Sequence, residues 1–285
     1  MTTEVQTCYR HQDRRAGVRC QRCERPICPS CMHQASVGFH CPECVRGASQ
    51  QVHTMRSVQA RAANPVVTTA LVAMNVAIYV VSSIGRGLTE PSFAVQLDYA
   101  LIGRGLSSTA GLIGVGEGEW YRLISGGFLH GSLLHLGFNM YVLWILGKQL
   151  EPALGQVAFG VVYFASMLAG SLGVMVLEPD ALTVGASGAV FGLFGYAVVA
   201  QYVRGINPMQ TGLGMVILVN LAFTFLVPGI SIGGHVGGLL GGFVAGGLHE
   251  LARRRMGVPA AAGVAMVAAM GVACAVAAVA VAAGA

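Results

Sequence analysis

The run Thr183-Val184-Gly185-Ala186-Ser187-Gly188-Ala189-Val190-Phe191 opens an apolar stretch that continues without a charged residue to Val203. About 20 such residues are enough to cross the hydrocarbon core of a bilayer as a helix. Ser187 is a polar residue at the start of that stretch. Two histidines, His135 and His235, sit in other apolar stretches of the same kind. Ionisable groups in such segments are costly, so they mark function and face a wet cavity or each other. A serine and two histidines supply the nucleophile, base and charge stabiliser that acyl transfer needs.

The composition fits an all-α membrane protein with a small soluble piece attached. Of 285 residues 54% are hydrophobic and 10% charged, with a mean hydropathy of +0.65. An ordinary soluble domain carries about 25% charged residues. The net charge is +5, and Arg10, Arg14, Arg15, Arg19, Arg22, Arg25, Arg46, Arg56 and Arg61 all precede the first apolar run. This basic excess is a topology signal and not a sign of nucleic acid. Apolar runs over residues 66–84, 130–149, 155–177, 184–203, 209–227 and 232–251 predict six spans of about 20 residues each. The last run, 260–284, is either a seventh span or a hydrophobic tail. Starting from a cytoplasmic N-terminus, alternation puts Lys148, Arg204 and Arg253-Arg254-Arg255 on the same side, with Glu178 and Asp180 outside. Arg86, Arg104 and Arg122 fall in a longer outer loop. The first 60 residues are polar, so no cleavable signal peptide is expected. The predicted organisation is a metal module over 1–46, a polar linker over 47–64 containing His53, a six-helix core over 65–255, and a seventh helix within 256–285.

Seven of the eight cysteines precede residue 45, and with His11 they read C-x2-H-x8-C-x2-C-x4-C-x2-C-x9-C-x2-C. Four close pairs offer eight soft ligands, enough for two tetrahedral zinc ions. So short a segment cannot build a sufficient apolar core, and metal would supply its folding energy. An odd cysteine count and a cytoplasmic setting argue against a disulfide framework. The spacing resembles B-box-type zinc fingers. That resemblance implies interleaved sites: Cys8, His11, Cys28 and Cys31 in one, Cys20, Cys23, Cys41 and Cys44 in the other. B-boxes often end in histidines, where this chain has Cys41 and Cys44. His33 and His40 read as non-ligands, and Cys274 as a small apolar filler.

A second informative run, from Trp120 through Arg122, His130 and His135 to Asn139, leads into the second predicted span. His135 and Asn139 lie four residues apart and share a helix face. His130 falls off that face and is expected nearer the outer surface. Ser187, His135 and His235 each stand at the outer end of their own span, at one depth. Gly234, Gly238, Gly242 and Gly246 repeat every four residues, as do Gly188 and Gly192. Small-residue faces let helices approach closely in lipid. No carboxylate lies near His235 in sequence, so a serine–histidine dyad is expected in place of a triad. His249 and Glu250 are expected at the interface. Arg122 is expected to anchor the outer loop to headgroups or to cap local carbonyls, and Glu151 to organise the inner end of the second span.

These motifs over residues 66–251 resemble the rhomboid intramembrane serine proteases: Trp120-x-Arg122, His135-x3-Asn139, Gly185-x-Ser187-Gly188 and His235-x2-Gly238-x3-Gly242. The resemblance implies Ser187 as nucleophile and His235 as general base and acid. It also implies an oxyanion hole from His135, Asn139 and the Ser187 N–H, with Gly185, Gly188, Phe191 and Gly238 supporting the site. Phe191 stands where the family often has tyrosine, and Gly234 where alanine is frequent. Implied partners are transmembrane protein substrates and the lipid bilayer, beside an unidentified cytoplasmic partner of the zinc module. The implied location is a multi-pass cell-membrane protein whose site opens outward, and the Ala/Gly/Val/Arg-rich composition suggests a bacterial source. Catalysis itself would need no cofactor. The rival readings are an inactive scaffold that binds transmembrane helices, and a transporter. A transporter would favour intramembrane carboxylates and inverted repeats, neither of which the sequence shows.

Overall fold

The computed structural model describes residues 6–35, 37–47, 65–88, 90–107 and 111–284; most of the predicted linker, with His53, Arg56 and Arg61, lies outside them. The chain divides into two compact units, Met1–Ser57 and Val58–Ala285.

The first unit holds two antiparallel hairpins and a short helix. They are β1 (Val18–Arg19) with β2 (Pro26–Ile27), β3 (His33–Gln34) with β4 (Phe39–His40), and α1 (Pro42–Gly47). Strands this short contribute little by themselves. The core is Ile27 together with Cys8, Cys20, Cys28, Cys31 and Cys41, all buried. A unit whose centre is mostly thiol needs something other than hydrocarbon packing to hold it.

The second unit is helical. Its elements are α2 (Val66–Ser82), α3 (Phe93–Tyr99), a hairpin of β5 (Gly105–Ser107) with β6 (Gly111–Ile113), α4 (Arg122–Ser125), α5 (Leu133–Leu154), α6 (Gln156–Leu177), α7 (Ser187–Val203), α8 (Leu213–Leu226), α9 (Ile232–Gly246), α10 (Ala252–Met256) and α11 (Ala260–Gly284). α7 is apolar all round, and a helix of that kind is buried. Its Leu193 and Tyr196 are fully enclosed, with Leu143 of α5 and Phe159 and Tyr163 of α6. α9 is wedged between α6 and α7 by glycine. A Cβ at Gly238 would overlap the Gly188 carbonyl, one at Gly242 would overlap the Gly192 carbonyl, and one at Gly237 would meet the Ala169 carbonyl. α11 also packs along α6, where Gly271 faces Ala165. α8 is peripheral and buries only Ile217 and Thr224.

By length and composition α6 and α11 are each able to cross a membrane. The Arg122–Phe128 segment and α5 pass together but bend by 96°. α2, α7 and α8 are apolar but shorter than the predicted spans, at 17, 17 and 14 residues. The cause is visible at α7. The chain through Thr183 is extended and pairs with Leu101, and Gly185 has φ of 126°, so the helix starts only at Ser187.

Two carboxylate caps, Glu151 buried and Glu178 half-buried, fix helix starts. Pro65 gives α2 no side-chain cap. Glu151 of α5 supplies one, accepting from the Val67 N–H at 2.9 Å, the Thr68 N–H at 2.8 Å and the Thr68 hydroxyl at 2.7 Å. Glu178 accepts from the Ser231 hydroxyl at 2.6 Å and the Ile232 N–H at 3.0 Å, closing the N-terminus of α9. Anionic groups belong at such positive helix ends.

Two sequence expectations are corrected at the other end of α9. His249 and Glu250 are buried rather than interfacial, carried inward by a π-helical turn over Gly247–Leu251. The Tyr196 hydroxyl meets Glu250 at 3.0 Å and His249 at 2.7 Å, so a polar partner inside the bundle replaces water for both. Arg204, Arg253 and Arg254 lie within 4.0 Å of the Glu250 carboxylate.

Candidate functional site

The segment before Ser187 is held across to its neighbours by backbone hydrogen bonds. The Leu101 N–H donates to the Thr183 carbonyl at 3.0 Å, the Thr183 N–H returns a bond at 2.8 Å, and the Gly185 N–H donates to Gly126 at 2.9 Å. These bonds deliver the chain to Gly185 in a left-handed conformation that side chains rarely adopt. Space there is equally restrictive, because a Cβ at Gly185 would lie 2.7 Å from His135 Nε2 and 3.6 Å from Ser187 Oγ. Ser187 is the first residue of α7, and the His135 imidazole lies across Gly185 from it.

His135 occupies the first turn of α5, whose N-cap Ser132 accepts from the His135 N–H at 3.2 Å. Asn139, one turn later, is buried and donates to the His135 carbonyl at 3.1 Å; among the described residues nothing takes its second amide hydrogen. His130 departs from expectation. It is 1% exposed, with its ring centroid 5.0 Å from that of His135. The chain turns through the 96° bend before α5 begins, and this folds His130 inward.

His235 lies in the first turn of α9, after Ser231, which caps the Gly234 N–H at 3.0 Å. Its imidazole stacks on the Phe191 ring, centroids 4.1 Å apart and planes 17° from parallel. Phe191 is one turn beyond Ser187 on α7, and Gly188 passes against the Gly234 carbonyl. Three helices therefore aim their N-terminal ends at one region, and each contributes one of Ser187, His135 and His235. Among the described residues no hydrogen bond joins Ser187 to His235. The ring's bonded partner is Thr224 of α8, whose hydroxyl lies 2.7 Å from Nδ1. Sequence reasoning passed over Thr224 because a lone threonine in an apolar helix is common and carries little signal. A water-accessible cavity of about 30 Å³ lies beside Ser187, with Ser171, Thr183 and Ser231 in its wall. That is room for a water molecule or two.

The outer loop is tied down by Arg122, which is buried and does not reach headgroups as one expectation had it. It pairs with Glu119 at 2.7 Å and donates to the Leu97 and Ala100 carbonyls, each at 2.8 Å. Burial pushes the Glu119 carboxyl upward. Arg122, the Gly114 N–H and the Tyr121 hydroxyl outweigh it and hold the group below the usual carboxylate range.

In the first unit the structure brings together two sets of donors: Cys8, His11, Cys28 and Cys31; and Cys20, Cys23, Cys41 and Cys44. Within each set the ligand atoms all lie within 4.8 Å of one another. His11 Nδ1 is 3.3 Å from Cys31 Sγ and 3.5 Å from Cys28 Sγ, and the Cys23 and Cys41 sulfurs are 3.7 Å apart. Sulfurs bound to one tetrahedral zinc at about 2.3 Å would stand at such separations. Burial opposes ionisation of Cys8 and Cys20, but backbone N–H groups aimed at the sulfurs overcome it and lower both to about 6. Burial and the neighbouring Cys8 and Cys28 push Cys31 up to about 11. A bound cation relieves that crowding of negative charge, so the donor sets fit a divalent metal. His33 and His40 stand outside both sets.

Comparison with known proteins places these features in context. The Rhomboid domain family matches residues 117–249. The chain is 39% identical over 137 residues to the putative rhomboid protease YdcA of Bacillus subtilis, covering 46% of this chain and 68% of that protein. It is 37% identical over 134 residues to the rhomboid protease GluP of the same organism, covering 46% of this chain but 26% of GluP. Rhomboid-like protease 1 of Toxoplasma gondii is 34% identical over 142 residues, 47% of this chain and 48% of that protein. The chain thus spans between about a quarter and about two thirds of these relatives. The family match runs from the loop that Arg122 anchors to the buried end of α9, taking in His135, Ser187 and His235. On that match and the likeness to YdcA, this chain belongs to the rhomboid family.

Proposed function

We propose that this chain is an intramembrane serine endopeptidase that cleaves in or beside transmembrane helices of other membrane proteins. Ser187 Oγ attacks the peptide carbonyl carbon as His235 takes its proton. The tetrahedral oxyanion is received by the Ser187 N–H, His135 and Asn139, assisted by the positive ends of α5 and α7. His235 then gives the proton to the leaving amine, and an ester on Ser187 remains. Water attacks that ester with His235 again as base, which restores the hydroxyl and releases the acid. The observation that carries this reading is the stacking of His235 on Phe191 one turn beyond Ser187. It confines the imidazole to the neighbourhood of the hydroxyl. Their hydrogen bond would close in the substrate complex, since such contacts are commonly long without substrate.

The same reading makes the protein multi-pass, with a cytoplasmic N-terminus and a site that opens outward. Exposed apolar side chains such as Leu134, Phe138, Tyr141, Phe223 and Phe225 would face lipid. We assign zinc to the two thiol-rich sets, in a structural role over 1–46 apart from catalysis.

Purified chain incubated with a fluorescent transmembrane substrate tests the protease assignment. Ser187→Ala and His235→Ala should each abolish cleavage, and a serine-reactive probe should label Ser187 alone. Cleavage by all three forms alike would remove the assignment. An unlabelled, inactive wild type across a substrate panel would favour a scaffold that binds transmembrane helices.

A further inference from the structure

A histidine serves as base through whichever ring nitrogen lacks a proton, and its other nitrogen decides which one that is. In this structure the second partner is a hydroxyl from a different helix. Thr224 of α8 is 2% exposed, and its Oγ1 lies 2.7 Å from His235 Nδ1. The same hydroxyl donates to the Asn220 carbonyl, one turn earlier, at 2.8 Å. A hydroxyl has one proton to give. Given to Nδ1, that proton would leave Nε2 protonated; given to Asn220, it makes Thr224 an acceptor from His235, with the hydrogen on Nδ1. Nε2 is then the lone-pair nitrogen. Among the described residues no other hydrogen bond reaches the imidazole. Phe191 fixes the plane of the ring by stacking, and Thr224 fixes its rotation within that plane.

We propose that Thr224 is a positioning residue that, through its Asn220-committed hydroxyl, holds His235 in the Nδ1–H tautomer with Nε2 free to act as base. This rests on the protease reading of Ser187 and His235. It supplies the orienting role that a carboxylate has in a triad; among the described residues no carboxylate is bonded to the His235 ring.

The test uses the full chain in lipid, with Thr224→Val to remove the acceptor at nearly constant shape and Thr224→Ser to keep it. Thr224→Val should lower kcat about tenfold or more while KM stays within about twofold, since one hydrogen bond is lost from a group acting only in the chemical step. Thr224→Ser should restore kcat to within about threefold of wild type. Solid-state NMR on protein carrying 15N-histidine, with His235 assigned by difference against His235→Ala, should show Nδ1 protonated and Nε2 bare. In Thr224→Val the two tautomers should mix. An Nε2–H tautomer in the wild type, or Thr224→Val turning over at the wild-type rate, overturns the proposal. The spectrum of wild type and Thr224→Ser decides the matter even if Thr224→Val does not fold. Failure of the protease reading is separate, since it would show as unchanged cleavage by Ser187→Ala and His235→Ala.

Discussion

Gly185 meets two demands at once: a left-handed backbone and no room for a Cβ beside His135. Gly185→Ala should therefore cost about 1–3 kcal/mol in thermal stability, and cleavage should fall by about a hundredfold because the His135 ring must shift. Folded, probe-reactive Gly185→Ala with wild-type turnover would contradict this. Glu119 gives a prediction in pH. Its carboxyl is held below its ordinary value, so its contribution is complete above that value and vanishes as pH falls through the lowered one. Glu119→Gln should thus melt below wild type at neutral pH, with the gap closing as pH drops below about 4. At this scale the sequence was legible where a residue type is rare in its setting. Ser187, His135 and His235 stand out from hydrocarbon, and the cysteine spacing names its own donors. Thr224, Glu178 and the inward turn of His130 were not legible. Each depends on which neighbouring helix comes into reach, and a single sequence does not state that.

At the level of elements, the order of helices follows from where the apolar runs lie. Their true ends follow from local chemistry: Gly185 delays α7, and Gly212, in a left-handed conformation, delays α8 to Leu213. The glycine repeats foretold a close crossing of α7 with α9, but α9 also crosses α6 through Gly233 and Gly237, on a face the repeat did not single out. Gly238→Leu should prevent this packing, at a cost of about 3 kcal/mol or more, whereas Leu240→Ala on the exposed side of α9 should change stability by under about 0.5 kcal/mol. Thermal melts of both variants in one detergent would distinguish them. Removing the cap in Glu178→Ala should lower stability by about 1–2 kcal/mol. Because the helix end it closes carries His235, kcat should fall with it.

Over the whole molecule, the two compact units are built differently, one on packed helices and the other around two thiol-rich donor sets. Elemental analysis should find two zinc ions per chain, and one after Cys20→Ser or after Cys8→Ser. A strong chelator should collapse the dispersed NMR signals of the first unit. Acid should do the same, since protons compete with metal for thiolates. The second unit should keep its melting temperature and its cleavage of substrate throughout. Metal ions that restored or abolished turnover directly would contradict this division.

The seam between α7 and α9 has one more consequence. Backbone rests on backbone at Gly188, Gly192, Gly238 and Gly242, with no rotamers between to rearrange. The spacing of Ser187 and His235 is therefore set by non-bonded contact of main chain on main chain. Directed evolution of this protein should find adaptation to new substrates in the peripheral helices and loops, while this seam admits no residue larger than the one it has.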